Sequence, residues 1–177
     1  MQELEIDLMQ KISKGDAKSF QSLLALYERP VFSYVWRLTT DIPSAEDITQ
    51  DVFLKVWKNA KSWKPNFQLR TWLYKIAYTT FIDKVRSEKI TTELPENLID
   101  NALNAEQDLI HTEQQKRVEN AVKALPEQQQ QAMILCYYQG LKAKEIAEIM
   151  DMKTNAVEVM IHRAKQTLKE MLGGSHE

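Results

Sequence analysis

The side chains best suited to binding chemistry lie near the C-terminus, where polar and basic residues share one side of a helical period over positions 154–166. Amide, guanidinium and carboxylate groups in that arrangement can contact DNA phosphates and the edges of base pairs in a major groove. Asn can pair with adenine, and Glu158 could accept a hydrogen bond from a cytosine amino group, so we interpret it as a specificity element. The predicted DNA-binding residues of this segment are Thr154, Asn155, Glu158, Val159, His162 and Arg163.

Two short helices joined by a tight turn must position these side chains. The first helix buries Ile146, Ala147 and Met150, and residues 151–153 break the period. Thr154 is expected to cap the second helix with its hydroxyl. The second helix is expected to bury a stripe at helical spacing, namely Val157, Ile161, Ala164 and Leu168. The pattern predicts a helix-turn-helix, and the alternative is an ordinary helical hairpin with a solvated outer face.

A second group of binding residues lies in the basic window 58–89, which holds eight Lys and Arg against two acids. A helix beginning near Arg70 is expected to bury Trp72 and a stripe from Leu73 to Phe81. Cations interleaved with aromatic rings suit single-stranded nucleic acid, because each base that stacks on a ring contributes ~1–3 kcal/mol. For the aromatic loop 63–67, nucleic-acid contact and hydrophobic packing both stay open. The predicted DNA-binding residues here are Lys64, Asn66, Phe67, Arg70, Lys75, Tyr78, Thr79 and Arg86.

The predicted helix 44–58 has an apolar arc that is wider than a surface helix needs. Ser44 and Asp47 form a capping pattern at its start, and Ile48, Val52 and Val56 centre its buried face. The extra width favours a docking surface for a helix of another protein. A helix sandwiched between two neighbours is the alternative. The predicted docking residues are Asp47, Gln50, Asp51, Phe53 and Leu54.

Composition predicts an all-α protein of two small domains. The 177 residues include only 4 Gly and 5 Pro, and no alternating strand pattern is evident. The net charge of −2 is unevenly distributed: residues 91–115 contain six acids and no Lys or Arg. We therefore predict a domain at 1–90, a flexible acidic linker at 91–115, and a helix-turn-helix domain at 116–177.

The sequence offers no support for an enzyme, a cofactor or a metal site. It lacks a Gly-rich phosphate loop, and His111, His162 and His176 show no metal-ligand spacing with the single cysteine, Cys136. Cys136 lies in an apolar run and is expected to be a buried, inert thiol. Neither a signal peptide nor an apolar run of membrane-spanning length is present, which predicts a cytoplasmic protein without membrane insertion.

In order along the chain, these segments resemble the extracytoplasmic-function (ECF) sigma factors of the bacterial sigma-70 family. The family's polymerase-docking helix resembles AEDITQDVFLKVW, and its stretch that melts and reads the minus-10 promoter element resembles FQLRTWLYKIAYTTFIDKVR. Its minus-35-reading domain resembles LPEQQQQAMILCYYQGLKAKEIAEIM followed by NAVEVMIHRAKQTL. The resemblance implies a non-enzymatic initiation factor whose partners are core RNA polymerase, promoter DNA and an anti-sigma factor.

Departures from the family pattern concern positions that contact DNA. Thr79 stands where many members have Asn, Gln130 replaces a common Arg, and Glu158 and Met160 replace residues that are often basic. Fewer phosphate contacts predict weaker DNA binding by the C-terminal domain. Two other functions remain open: a stand-alone helix-turn-helix regulator, and a polymerase-binding protein that does not read promoters.

Overall fold

The structure, a computed structural model, describes residues 2–66, 68–91 and 113–173, and these residues form helices joined by short turns and loops. The N-terminal helices are α1 (Gln2–Ile12), α2 (Ala17–Thr39), α3 (Ile42–Asn59) and α4 (Leu69–Thr91), with a 3₁₀ turn at Ala60–Ser62. The C-terminal helices are α5 (Glu113–Lys123), α6 (Glu127–Met133), α7 (Ala143–Met150) and α8 (Thr154–Gly173), with a π-helical turn at Ile134–Tyr138. The predicted all-α, two-domain fold is confirmed. Most of the predicted acidic linker lies outside the described residues.

Side-chain caps at two adjacent turns fix where α2 and α3 begin. The carboxylate of Asp16 accepts a hydrogen bond from the backbone N–H of Ser19 at 3.0 Å, and Asp41 accepts one from Ser44 at 2.9 Å. The prediction that Ser44 caps the second of these helices was therefore wrong. The helix begins earlier because Pro43 fits the first turn, where its missing N–H costs nothing. Hydrogen bonds from the side chain and backbone of Ser44 lower the pKa of Asp41.

The N-terminal core forms where α2 packs on α1 and α3, and α3 packs on α4. Leu23 and Val35 of α2 are completely buried there, as are Val52 of α3 and Leu73 of α4. The predicted inner faces of α3 and α4 are thus confirmed. Their burial leaves the opposite faces of the two helices for other contacts.

The helix-turn-helix is formed by α7 and α8, and α8 also packs against α5 and α6. Asp151 adopts the left-handed conformation (φ 55°) that ends α7, and its N–H donates to the carbonyl of Ala147. Thr154 is the first residue of α8, and the carbonyl of Lys153 already accepts a hydrogen bond from the N–H of Val157 at 3.2 Å. Lys153 therefore takes the capping position that the sequence had assigned to Thr154.

The two domains are in contact with each other. Helix α4 packs against α7, and α2 packs against the π-helical turn. As a result, the helix with the basic window and the helix-turn-helix face one another.

Candidate nucleic-acid and polymerase interfaces

Helix α8 presents the predicted recognition residues on one exposed face. Asn155, Glu158, Val159, His162 and Arg163 are all exposed, whereas Thr154 is half-buried. The face is held outward by a buried stripe that agrees with the prediction: Val157, Ile161 and Ala164 are buried, and Leu168 is half-buried against the core. A helix with one dry face and one polar face has the shape that a major groove accepts.

Helix α4 presents a second polar face, made by Lys75, Thr79 and Arg86. The hydroxyl of Thr79 donates to the carbonyl of Lys75 at 3.0 Å, so this donor is already engaged within the helix. Tyr78 is half-buried, and this burial raises the pKa of its hydroxyl. At neutral pH the hydroxyl therefore remains protonated and can donate a hydrogen bond to an anion.

The loop before α4 divides its residues between core and solvent. Lys64 and Asn66 are exposed, whereas Trp63 is only 9% exposed and belongs to the hydrophobic core. Trp63 therefore packs rather than offering a stacking surface for a base. Trp72 is half-buried, in partial agreement with the core position predicted for it. Phe67 lies outside the described residues, and its predicted role stays a prediction.

An open apolar groove of about 780 Å³ runs between α2 and α3. Leu54 stands at the groove with 55% of its surface exposed, and Gln50 is exposed beside it. Phe53 lines the groove but is only 5% exposed, so it is mainly a core residue and not the projecting contact that was predicted. The other lining residues are Phe20, Leu24, Glu28, Arg29, Phe32, Glu46 and Thr49.

The acidic residues predicted beside this groove do not line it. Asp47 and Asp51 are both exposed, and the carboxylate of Asp47 lies 3.6 Å from the ammonium of Lys84 on α4. The structure thus brings Gln50, Phe53 and Leu54 together and places the two carboxylates away from them.

Contacts between α4 and the C-terminal domain were missed by sequence reasoning. The guanidinium of Arg70 and the hydroxyl of Thr71 each lie 3.4 Å from a carboxylate oxygen of Glu145, at the start of α7. The hydroxyl of Tyr74 donates to the side-chain oxygen of Gln139 at 2.5 Å. Burial raises the pKa of Tyr74 to about 12, so this donor keeps its proton at neutral pH. Arg70, a predicted DNA-binding residue, is therefore already paired with an acid of the other domain.

Helix α2 makes a second contact with the C-terminal domain through Arg37. Its guanidinium carbon lies 3.7 Å from the centre of the Tyr138 ring, and a guanidinium nitrogen lies 3.6 Å from the carboxylate of Glu119. Nothing in the local pattern distinguishes Arg37 from a solvated basic residue near a helix end. Only the packing of distant segments reveals the contact.

Between the domains lies a cleft of about 600 Å³ whose walls come from both predicted DNA-binding sets. Lys64 and Lys75 of the N-terminal domain line it together with Thr154 of the helix-turn-helix. The acids Glu148 and Asp151 line it as well. Two segments that were predicted to bind separate stretches of DNA thus face each other within one cleft.

Metal binding and membrane insertion find little support in the part of the chain that the structure describes. These residues contain no group of three or more His, Cys, Asp or Glu able to hold a metal ion. Within the same residues, no helix is both long enough and apolar enough to cross a membrane. Cys136 is unpaired and half-buried, so it is more accessible than predicted.

The fold defines a two-domain helical protein with a helix-turn-helix, and sequence comparison identifies its family. The family model described as Sigma-70 region 2 matches residues 23–90, and the one described as Sigma-70, region 4 matches residues 115–168. Together they cover more than half of the chain. The chain belongs to the sigma-70 family, and its relatives place it among the ECF sigma factors.

Two relatives from Bacillus subtilis align with nearly the whole chain. RNA polymerase sigma factor YlaC is 32% identical over 164 residues, which cover 90% of this chain and 95% of that protein. ECF RNA polymerase sigma factor SigW is 24% identical over 176 residues, covering 93% and 94% respectively. The protein is accordingly a non-enzymatic factor for promoter-specific transcription initiation by RNA polymerase. A stand-alone regulator is not favoured, because the match includes both regions.

Solved structures show the same fold. CnrH in complex with the cytosolic domain of CnrY matches with a TM-score of 0.72 at 19% identity, covering 96% of this chain and 97% of that one. The sigma factor RpoE of Bartonella quintana, in complex with the anti-sigma factor NepR, matches with a TM-score of 0.71 at 22% identity, covering 90% and 100%.

Proposed function

We propose that the protein divides promoter recognition between its two helix faces, with α4 capturing the melted minus-10 strand and α8 reading the minus-35 duplex. The observation that carries this division is the presence of two separate exposed polar faces, each held outward by its own buried stripe. Exposed cations on α4 suit the phosphates of a single strand, and the narrow face of α8 suits a major groove. The domain limits 1–90 and 116–177 are part of this proposal.

The α2–α3 groove is the proposed docking site for core RNA polymerase. Leu54 exposes apolar surface beside a groove lined by the buried ring of Phe53 and the half-buried rings of Phe20 and Phe32, and Gln50 supplies a hydrogen-bonding group at the rim. A groove of this kind accepts the apolar face of a partner helix. Asp47 and Asp51 remain proposed contacts at the outer edge, where they could pair with basic residues of the polymerase.

Docking on polymerase would also strengthen weak DNA contacts. Arg163 and Lys165 are the only Lys or Arg between Thr154 and Gln166, and Glu158 repels phosphates. When polymerase holds both domains on one promoter, the second contact becomes effectively intramolecular, so neither domain needs high affinity on its own. We expect the isolated protein to bind minus-35 duplex weakly.

An anti-sigma factor is a further proposed partner, and the cytoplasm is the proposed location. One similar structure is a complex of the sigma factor RpoE with the anti-sigma factor NepR, and the other is a complex of CnrH with the cytosolic domain of CnrY. A protein of this fold is therefore a reasonable target for an anti-sigma factor. The cytoplasmic location follows from the proposed partners, since bacterial polymerase and promoter DNA are found there.

Run-off transcription tests the proposed function. Purified protein is mixed with core RNA polymerase and a library of genomic fragments, and the transcripts are compared with those made by core enzyme alone. We expect discrete new start sites that depend on the added protein. Polymerase binding without transcripts would instead identify an interaction protein, and sequence-specific duplex binding without polymerase would identify a stand-alone regulator.

A further inference from the structure

An open groove on the N-terminal domain collects cations that the proposed function does not use. It has a volume of about 450 Å³ and lies between the α1–α2 turn and the C-terminal end of α3, and we call it the lysine groove. Its cations are Lys14, Lys58 and Lys61, and all three residues are exposed. The other lining residues are Ile12, Ser13, Gly15 and Trp57. The lining that the structure describes therefore contains three positive charges and no carboxylate.

The backbone of the α1–α2 turn fixes the position of Lys14 in the lysine groove. The N–H of Gly15 donates to the carbonyl of Ile12 at 2.9 Å. Gly15 has a φ of 88°, which residues with a side chain rarely adopt. Helix α1 also packs on the 3₁₀ turn, which carries Lys61. This packing brings cations from two distant parts of the chain to one surface.

The three lysines have no acidic partner among the residues that the structure describes. None of them forms an ion pair with a described residue. The carboxylate of Asp16, which follows the turn, already accepts hydrogen bonds from the N–H and the hydroxyl of Ser19 at 3.0 Å and 2.5 Å. Cations of one sign along a concave surface create a positive potential that attracts anions. The lysine groove is therefore suited to an anionic ligand.

Trp57 adds an aromatic surface to the lysine groove. Its ring packs edge to face against Phe20 with the ring centroids 5.0 Å apart, and Trp57 remains 37% exposed. The contact with Phe20 holds the indole in place, so little conformational freedom is lost when a ligand stacks on its exposed part. An aromatic ring beside cations suits single-stranded DNA, because the ring can stack on a base while the lysines bind phosphates.

We propose that the lysine groove binds the single-stranded DNA that continues downstream of the minus-10 element. This inference rests on the proposed function, because α4 must first capture the melted strand. Lys61 lies in the 3₁₀ turn, three residues before Lys64, which belongs to the proposed minus-10 contacts. The lysine groove thus extends the cationic surface of that site around the turn, and a strand bound along both contacts more nucleotides than α4 alone can reach.

The location of the lysine groove selects the downstream part of the strand. The upstream part leads to the minus-35 duplex, which the proposed function assigns to the C-terminal domain. The groove is built from the α1–α2 turn, α3 and the 3₁₀ turn, which all belong to the N-terminal domain. The strand can therefore reach it wherever the C-terminal domain lies. Because stacked bases in a duplex offer no free face to Trp57, binding in the groove favours the melted state.

The test compares two promoter DNAs bound to holoenzyme assembled from the full chain and core RNA polymerase. Both DNAs carry a promoter identified by run-off transcription, as duplex upstream and as a single strand through the minus-10 element. In the short DNA the single strand ends at that element, and in the long DNA it continues for several nucleotides downstream. Fluorescence anisotropy measures the dissociation constants at a series of salt concentrations.

Replacing Lys14, Lys58 and Lys61 together with Gln should weaken binding to the long DNA and leave binding to the short DNA like that of the parent. Each lost phosphate contact on a single strand reduces the slope of log K against log salt concentration by about 0.7, so the three together should reduce it by about 2. Trp57→Leu keeps an apolar contact with Phe20 and should weaken binding to the long DNA by about fivefold, the lower end of the range for stacking on an aromatic ring.

Lys18→Gln is the matched control for Lys58→Gln. Lys18 is an exposed lysine of α2 that does not line the lysine groove. Its replacement should leave the slope for the long DNA unchanged, whereas Lys58→Gln should reduce that slope by about 0.7. Equal slopes for the two variants would contradict a phosphate contact of Lys58.

Equal losses on the short and long DNA for the triple lysine variant would refute the lysine groove as a DNA site, because the lysines would then act only through net charge. Unchanged binding to both DNAs would also refute it. A loss of affinity for core enzyme in the absence of DNA would assign the groove to polymerase instead. Circular dichroism melting is recorded for each variant, and the lysine variant decides the outcome should Trp57→Leu unfold.

Binding of the parent separates this inference from the proposed function. A parent holoenzyme that initiates transcription and binds the short DNA, with variants that match it on the long DNA, refutes only the role of the lysine groove. A parent that neither initiates transcription nor binds the short DNA refutes the proposed function and, with it, this inference.

Discussion

Replacing Leu54 with Ala should weaken binding to core RNA polymerase while changing protein stability little. Full burial of a Leu side chain contributes ~1.5–3 kcal/mol. Leu54 is 55% exposed in the free protein. Burial of that remaining fraction by polymerase would contribute roughly 0.8–1.6 kcal/mol, which corresponds to about a four- to fifteenfold change in Kd. Biolayer interferometry with immobilised core enzyme measures this change directly.

Two further variants make the Leu54 experiment decisive. Leu4→Ala on α1 is the matched control, because Leu4 is 51% exposed and does not line the groove. It should bind polymerase like the parent. Phe53→Ala should lower the free energy of unfolding by ~3–5 kcal/mol, because Phe53 is almost fully buried. Equal losses of polymerase affinity for Leu54→Ala and Leu4→Ala would refute the docking site. A large loss of stability for Leu54→Ala would show that the Leu54 side chain is part of the core and does not offer an exposed surface for docking.

The remaining predictions concern α8 and the start of α3. Asn155→Ala and Glu158→Ala should each change which minus-35 bases are selected from a randomised library, because loss of a good base contact costs ~1–3 kcal/mol of binding free energy. Identical base preferences for the parent and both variants would show that α8 does not read bases through these two side chains. Arg163→Ala should weaken binding to all promoters similarly and should reduce the slope of log K against log salt concentration by about 1. An unchanged slope would exclude a phosphate contact. Asp41→Ala should lower the melting temperature at neutral pH. The Ser44 hydrogen bonds lower the pKa of Asp41 in the folded state, so this stabilisation is present above the ordinary carboxyl range and is lost as pH falls through the folded pKa. The difference in melting temperature between parent and Asp41→Ala should therefore shrink in acid, and a constant difference would contradict this role for Asp41.

Sequence periodicity was sufficient to predict α3, α4, α7 and α8 and their buried faces. The stripe Val157, Ile161 and Ala164 is buried as predicted, and so are Val52 and Leu73. Helical spacing determines which side chains share a buried face, because residues three or four positions apart lie on the same side of a helix in any tertiary context. The boundaries were less predictable: Asp41 and Lys153 take capping positions that had been given to Ser44 and Thr154. Several residues near a helix start can cap it, and the final choice depends on how the first turn packs.

The packing of one domain on the other was decided only by tertiary structure. The pairing of Arg70 with Glu145 joins residues 75 positions apart, and the contact of Arg37 with Tyr138 is more distant still. The local sequence does not single out any of these residues, because a polar side chain on the outer face of a helix can contact solvent, DNA or another domain. The sequence by itself determined which faces are polar and which are apolar. Which partner each polar face meets in the free protein depends on the relative placement of the two domains, and no local pattern encodes that placement.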